Sequence, residues 1–336
     1  MHWTRVIAFT DPFPCQAALQ STVAAEILPV GRGHFHVDAT QIGMDKLRMQ
    51  RFKVDLPQID TIETSPDRKP IGFLLEESSS NLQHCGMKIT RDDLVIYGNE
   101  VLHQRSEADF QYGTMSVPAK DFPVLCATIM GRELVSESLT SVVRPDPGLM
   151  SRLRGLHKAV GQLAHDTPDL LDQPEVRRAL EERLIHVMVR CLAQGAGVEA
   201  RSGDRRRDAI IARFEEFLAA NPDRPLYLTE ICAALGVAER TLRASCEEHL
   251  GMGPIRFLTL RRMHLVRRAL LGADPSRATV TSVVTDHGFW ELGRFSIAYR
   301  TLFGETPSAT LRRPAEQPAI HFNRPTSLPL EIFYTG

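Results

Sequence analysis

The sequence predicts an α+β chain of two domains, a β-barrel with a helical hairpin followed by an all-α unit. Three observations predict it. Short segments of period-two alternation crowd residues 30–135, helical periodicity takes over after Pro147, and a late basic segment repeats one helix–turn–helix pattern twice. At 336 residues the chain exceeds one ordinary core, which also favours two domains. With 43% hydrophobic and 24% charged residues, the composition is that of a soluble globular protein.

The strands come first. In Arg51-Phe-Lys-Val-Asp-Leu56 apolar and charged residues alternate, the mark of a half-buried strand. Pro70–Glu76, Asp93–Tyr97 and Gln111–Val117 continue the pattern, separated by turn formers such as Ser65-Pro-Asp67 and Gly98-Asn99. Many short punctuated strands favour a barrel or a sandwich.

Helical periods follow at 148–165 and 174–193, a hairpin spanning about 148–193. Its second helix carries an apolar stripe that includes Leu184, Val187, Met188, Cys191 and Leu192. Such a stripe suits either packing on the chain's own barrel or contact with a second subunit. The expected boundaries are 1–194 for the first domain, a glycine-rich linker at 195–207, a helical domain at 208–313, and a proline-rich flexible tail at 314–336.

The net charge of −1 hides an asymmetry. Residues 205–313 hold 17 arginines, no lysine and 12 acidic side chains, an excess of five positive charges, so the remainder carries six negative. A basic segment on an acidic body suits a nucleic-acid reader. The six cysteines form no C-x-x-C pair, which suits reduced thiols in a cytoplasmic protein. No apolar run approaches the ~18 residues of a membrane span, so no membrane association is expected.

The first helix–turn–helix unit runs from Leu228 to Cys246. Thr229 is placed to cap its first helix, Gly236 to make the turn, and a second helix begins near Glu239 with Leu242 and Cys246 inward. Arg240, Thr241, Arg243 and Ala244 then face outward, where arginine can pair bidentately with guanine in the major groove. The second unit runs from Val280 to Tyr299 and turns at Gly288. Phe295 and Tyr299 are inward, while Gly293, Arg294, Ser296 and Ile297 are outward. Between them a long helix from Pro254 to Leu271 can hold both reading helices on one face of a duplex.

Gly251-Met-Gly-Pro-Ile-Arg-Phe257, Arg261-Arg262, Gly288-Phe289, Phe295-Ser296, Tyr299-Arg300 and Phe303-Gly-Glu-Thr-Pro307 resemble the C-terminal signature of the AraC/XylS family of bacterial transcription regulators. The resemblance covers roughly 208–313. It implies a seven-helical domain that binds double-stranded promoter DNA, usually as an activator contacting RNA polymerase. The family's base-reading positions fall on Arg240, Arg243 and Ala244, and on Gly293, Arg294 and Ile297. Ala244 and Ile297 stand where polar residues are common, and Ala238 where a capping serine is usual. These departures place more base readout on the first unit.

Residues 86–103 resemble the second half of a cupin core, so the barrel is expected to be cupin-like. By the family resemblance it binds a small-molecule effector or pairs subunits into a homodimer. Phe73, Tyr97, His103 and Tyr112 are the candidate effector-lining residues, although plain core packing is the favoured reading of each. His34-Phe-His36 and His103 raise a metal site, but residues 37–47 hold no glutamate to complete the set. No metal, cofactor or catalytic residue is therefore expected. The alternatives are a cupin-type metalloenzyme fused to a DNA-binding domain, and a dimerising regulator controlled by a partner protein.

Overall fold

The computed structural model describes residues 2–19, 23–75, 82–99, 101–131, 140–198, 202–221, 226–313 and 319–323. The first half contains β1 (Trp3–Phe9), α1 (Pro12–Leu19), β2 (Val23–Pro29), β3 (Val37–Gly43), β4 (Arg48–Val54), β5 (Gln58–Thr64), β6 (Arg68–Leu74), β7 (Leu82–His84), β8 (Met87–Ile89), β9 (Leu94–Ile96), β10 (Leu102–Ser106) and β11 (Phe110–Pro118). It continues through α2 (Phe122–Met130), β12 (Ser141–Arg144), α3 (Pro147–Asp166), α4 (Asp169–Asp172), α5 (Pro174–Gln194) and β13 (Ala196–Val198). The second half contains α6 (Ser202–Ala219), α7 (Leu228–Leu235), α8 (Glu239–His249), α9 (Pro254–Gly272), α10 (Val280–Asp286), α11 (Leu292–Phe303), α12 (Pro307–Leu311) and β14 (Ala319–Asn323).

The expected barrel is not closed. The described strands form two open antiparallel sheets, one in the order β13-β12-β9-β6-β11-β4-β3-β1-β14 and the other β2-β5-β10-β7-β8. Closure requires one continuous hydrogen-bonded ladder, and no described strand of one sheet pairs with the other. The chain instead switches sheets repeatedly, which stacks the two face to face.

Period-two alternation sorts the strand residues into layers. On the outer face of the larger sheet, Ile42, Met49, Ile71, Phe73 and Met115 pack with Leu153, Val160, Leu184, Met188 and Cys191 of α3 and α5. The apolar stripe of α5 is thus covered by its own domain. Between the sheets lie Ile7, Phe9, Val37, Val54, Leu74 and Phe110 from the larger and Ile27, Leu82 and Leu102 from the smaller. The outer face of the smaller sheet meets the second domain, where Leu28 and Ile59 join Ile211, Phe214, Leu242, Cys246 and Phe257 in one core. A separate core around Val266, Leu270, Val284, Phe295 and Tyr299 closes the end of the second domain.

Parts of the expected linker and tail form regular elements among the described residues. The 195–207 stretch supplies β13, which pairs with β12, and the start of α6. The tail supplies β14, paired antiparallel with β1 from Thr4↔Asn323 to Ala8↔Ala319. An unpaired β1 would present open backbone groups, and β14 satisfies them. None of the described helices is long and apolar enough to cross a membrane.

Polar contacts pin the docked halves. Glu215 of α6 accepts a hydrogen bond from Thr61 Oγ1 and pairs with His103 Nδ1 at 3.1 Å. Arg261 pairs with Glu26, and Arg267 with Asp11. The Gly33 amide donates to the Leu302 carbonyl at 3.1 Å. His264 Nε2 donates to the Pro29 carbonyl at 2.9 Å, and Phe303 stands edge-on to its ring. Burial, with Arg267 alongside, pushes this imidazole down to about 4.

Two predictions follow from this packing. Phe214→Ala removes a fully buried ring that is shared with the smaller sheet. It lowers unfolding free energy by about 3–5 kcal/mol, read from denaturant midpoints. In the unfolded chain a histidine titrates near 6.5, so His264's contribution is complete above that pH and is lost as pH falls toward 4. His264→Gln, compared with the parent in urea titrations between pH 7 and pH 4, shrinks the acid-induced drop in stability. Equal drops in both proteins would remove His264 from the account.

Candidate nucleic-acid interface

Both helix–turn–helix units are built from the same parts. In the first, α7 ends at Gly236, whose φ of +64° is the left-handed conformation that glycine holds without strain. α8 then buries Leu242, Ser245, Cys246 and His249, leaving Arg240, Thr241, Arg243 and Ala244 on its exposed side. In the second, Gly288 turns at φ +76°. α11 buries Phe295, Tyr299, Leu302 and Phe303, and exposes Gly293, Arg294, Ser296 and Ile297. All eight candidate positions therefore stand in solvent, in two groups of four.

One helix fixes both groups. α9 spans 19 residues, about 28 Å at ~1.5 Å per residue. Its Phe257 and Leu258 enter the core of the first unit, and its Met263, Val266 and Leu270 enter that of the second. Arg262 lies over the Phe289 ring at 5.1 Å, tying α9 to the second turn.

The charges are distributed less simply than a count of arginines implies. Arg213 donates to the Leu235 carbonyl, Arg207 pairs with Glu248, and Arg261 and Arg267 hold the first domain. Those four are engaged with other groups of the chain, Arg207 at the surface. Arg243 pairs with Glu239 at 2.9 Å and Arg294 with Glu291 at 2.8 Å, both pairs about half exposed or more. Exposed pairs of this kind contribute little and exchange readily, so both guanidinium groups can leave their carboxylates for a stronger acceptor. Arg240 has no ion-pair partner among the described residues. Ser296 Oγ donates to the Leu292 carbonyl at 2.9 Å, which leaves its lone pairs outward.

Helix caps differ between the units. Thr229 lies inside α7 and Tyr227 takes the cap position, so the expected Thr229 cap is not made. α8 starts behind Ala238 with no side-chain cap, whereas Thr279 caps α10 through the Ser282 amide. Two exposed aromatics escaped the sequence reading: Tyr227 at 72% exposure and Trp290 at 77%. Tyr227 directly precedes α7 and Trp290 stands two residues before α11, each outside the apolar stripe of its unit, the signal that could have found them.

In the first domain, the four effector-lining candidates divide. Tyr97 and Tyr112 face the space between the sheets, where their hydroxyls meet at 2.8 Å and Tyr97 donates to Gln104 Oε1 at 3.0 Å. Burial pushes both phenols well up. Both line a cavity of about 100 Å³. Phe73 turns to the opposite face, edge-on to His157 at 5.0 Å. His103 faces outward to Glu215. Sequence alternation gives two faces to each strand but does not say which one looks inward.

The histidines do not assemble either. His36 pairs with Asp38, and His34 and His36 line a cleft of about 220 Å³ between the domains with His264, Arg267 and Arg313, away from His103. Among the described residues no group of three or more His, Cys, Asp or Glu side chains is placed to share a metal ion.

A family described as a helix-turn-helix domain matches residues 231–313. The "Probable thc operon regulatory protein" of Rhodococcus erythropolis is 33% identical over 150 residues, which are 42% of this chain and 45% of that protein. The "XylDLEGF operon transcriptional activator 2" of Pseudomonas putida is 31% identical over 112 residues, 33% of this chain and 71% of that protein. The crystal structure of "the AraC-like transcriptional activator CuxR" is similar at 14% identity and a TM-score of 0.39, with 80% of this chain and 96% of that one covered.

The missing cap at Ala238 yields a direct test. Ala238→Ser offers the first-turn amides of α8 a side-chain oxygen, which Ala238 lacks, and raises unfolding free energy by about 0.5–2 kcal/mol. A denaturant midpoint that does not move would mean another group already satisfies those amides.

Proposed function

Because this chain belongs to the AraC/XylS family of transcription regulators, we propose that it binds double-stranded promoter DNA and controls transcription from it. α8 and α11 enter adjacent major-groove segments. Arg240 and Arg243 read guanine edges, Thr241 and Ser296 contact phosphates, and Ala244, Gly293 and Ile297 approach bases without hydrogen bonding. Arg294 supplies the second unit's charged contact. The observation that carries the reading is the pair of exposed arginine-bearing faces joined by the single helix α9.

The sign of regulation is activation, through contact with RNA polymerase, in keeping with the activator named among the relatives. The cupin-like first domain is the control half, with Tyr97 and Tyr112 in the cavity that receives a small effector. A homodimer through α3 and α5 belongs to the same proposal. It would use the polar outer face of α5, including Arg178, Glu182, Arg183 and His186, since the apolar face is covered.

Fragments selected from genomic DNA by the purified protein supply the binding site. On that site Arg240→Ala and Arg243→Ala each weaken binding by ~1–3 kcal/mol and relax base preference at one position. Selective binding as tight as the parent's in both variants would remove α8 from the groove. Addition of the protein to an in vitro reaction with RNA polymerase and the selected promoter raises transcript yield. A drop would reverse the sign of regulation.

A further inference from the structure

The polar end of the intersheet cavity has an unusual balance. Gln58 and Asp60 face it from β5, and both are more than nine-tenths buried. Gln58 Nε2 donates to both carboxylate oxygens of Asp60, at 2.8 and 3.0 Å. Gln58 Oε1 accepts from no group among the described residues. Gln104 stands directly across the ladder from Asp60, and Tyr97 donates its only hydroxyl proton to Gln104. The Tyr112 proton must then go to Tyr97, which leaves the Tyr112 oxygen open as an acceptor.

Three acceptors thus converge at this end: the Asp60 carboxylate, Gln58 Oε1 and Tyr112 Oη. No described cation pairs with Asp60. Burial raises its carboxyl to about 7, against the help of Gln58. The basic group of the cavity, Arg48, sits at the far end beside Ser116. That is four residues along β11 from Tyr112, on the order of 13 Å. Thr114 and Gln50 stand between Tyr112 and Arg48, and on the side of Tyr112 away from Arg48 the lining is apolar through Val37, Val54 and Phe110, with Ile27, Phe52 and Ile62 completing the apolar walls.

We propose that this cavity binds a short aliphatic primary amine, its ammonium on Asp60, Gln58 Oε1 and Tyr112 Oη and its alkyl chain between the sheets. An ammonium has three donors and no acceptor, so it satisfies all three groups at once. The volume of about 100 Å³ limits the body. A cavity of ~150 Å³ admits benzene, so an alkyl chain of about four carbons fits here.

β5 gives such binding a route to the reading head. Gln58 and Asp60 look into the cavity, while Ile59 and Thr61 on the same strand look outward to the core of the second domain and to Glu215. A one-residue alternation separates ligand from reading head. This regulatory consequence rests on the effector reading above, whereas the amine site itself does not.

The test uses full-length protein titrated separately with n-butylamine, 1-butanol and butyrate, followed by calorimetry and melting temperature, and then by affinity for the selected DNA. n-Butylamine binds once per chain and raises the melting temperature. 1-Butanol binds roughly tenfold more weakly or worse, and butyrate not at all. Asp60→Asn weakens the amine by about tenfold or more. Ile62→Phe, which fills the cavity and keeps the acceptors, abolishes its binding if the site is placed correctly, and serves should Asp60→Asn not fold. Equal binding of butanol, preference for butyrate, or no binding of any probe overturns the amine assignment. Amine binding that leaves DNA affinity unchanged overturns the effector reading and leaves the site standing.

Discussion

The smaller sheet gives little of either face to water. Its inner side builds the intersheet core and its outer side, through Leu28 and Ile59, is roofed by α6, α8 and α9. Burying side chains of this size contributes ~1.5–3 kcal/mol each, and the reading head is what covers them. The molecule is therefore a stack of helices, sheet, cavity, sheet and reading head. A displacement of the middle sheet has to be accommodated by the layers on either side, because packed interiors deform little. Coupling between a cavity and a DNA contact then needs only one strand's thickness rather than a long relay.

That docking also changes how the basic segment is understood. Its excess of arginine looked like one electrostatic footprint, yet Arg261 and Arg267 face Glu26 and Asp11 of the first domain. On the candidate reading faces, Arg243 of α8 pairs with Glu239 and Arg294 of α11 with its N-cap residue Glu291. The two helices remain unequal. α8 carries Arg240 and Arg243 near an uncapped start, while α11 carries Arg294 near its start and Arg300 in its last turn, with exposed Trp290 just before it and exposed Ile297 along it. The second surface is apolar enough to press against sugar edges or thymine methyls.

Local signals reported local structure faithfully. The alternation in residues 51–56 falls on β4, and glycines 236 and 288 both adopt the positive φ expected of turns. The helical periods became α3 and α5, and the repeated units stand where their spacing put them. What alternation could not reveal was the partner of each face. Phe73 and Tyr112 are both inward residues of one sheet, but one looks to the helices and the other to the cavity. His103 reads as a barrel wall residue and is in fact a docking residue, because nothing in its own strand tells of Glu215 more than a hundred positions later. Closure of the barrel failed for the same reason: pairing is a property of two distant segments, and each sequence segment describes only itself.

The short strand β14 has a wider meaning than edge protection. The larger sheet begins with β13 and ends with β14, and the whole reading head lies between those two strands in sequence. The head is thus an insertion spliced between opposite margins of one sheet, not an appendage on a single leash. A domain held at both ends cannot swing out freely, since any excursion must either pivot about two fixed points or peel away a margin strand. Exchange of heads between copies would carry the same requirement, and a chain cut at residue 313 would leave the first domain with the bare margin of β1.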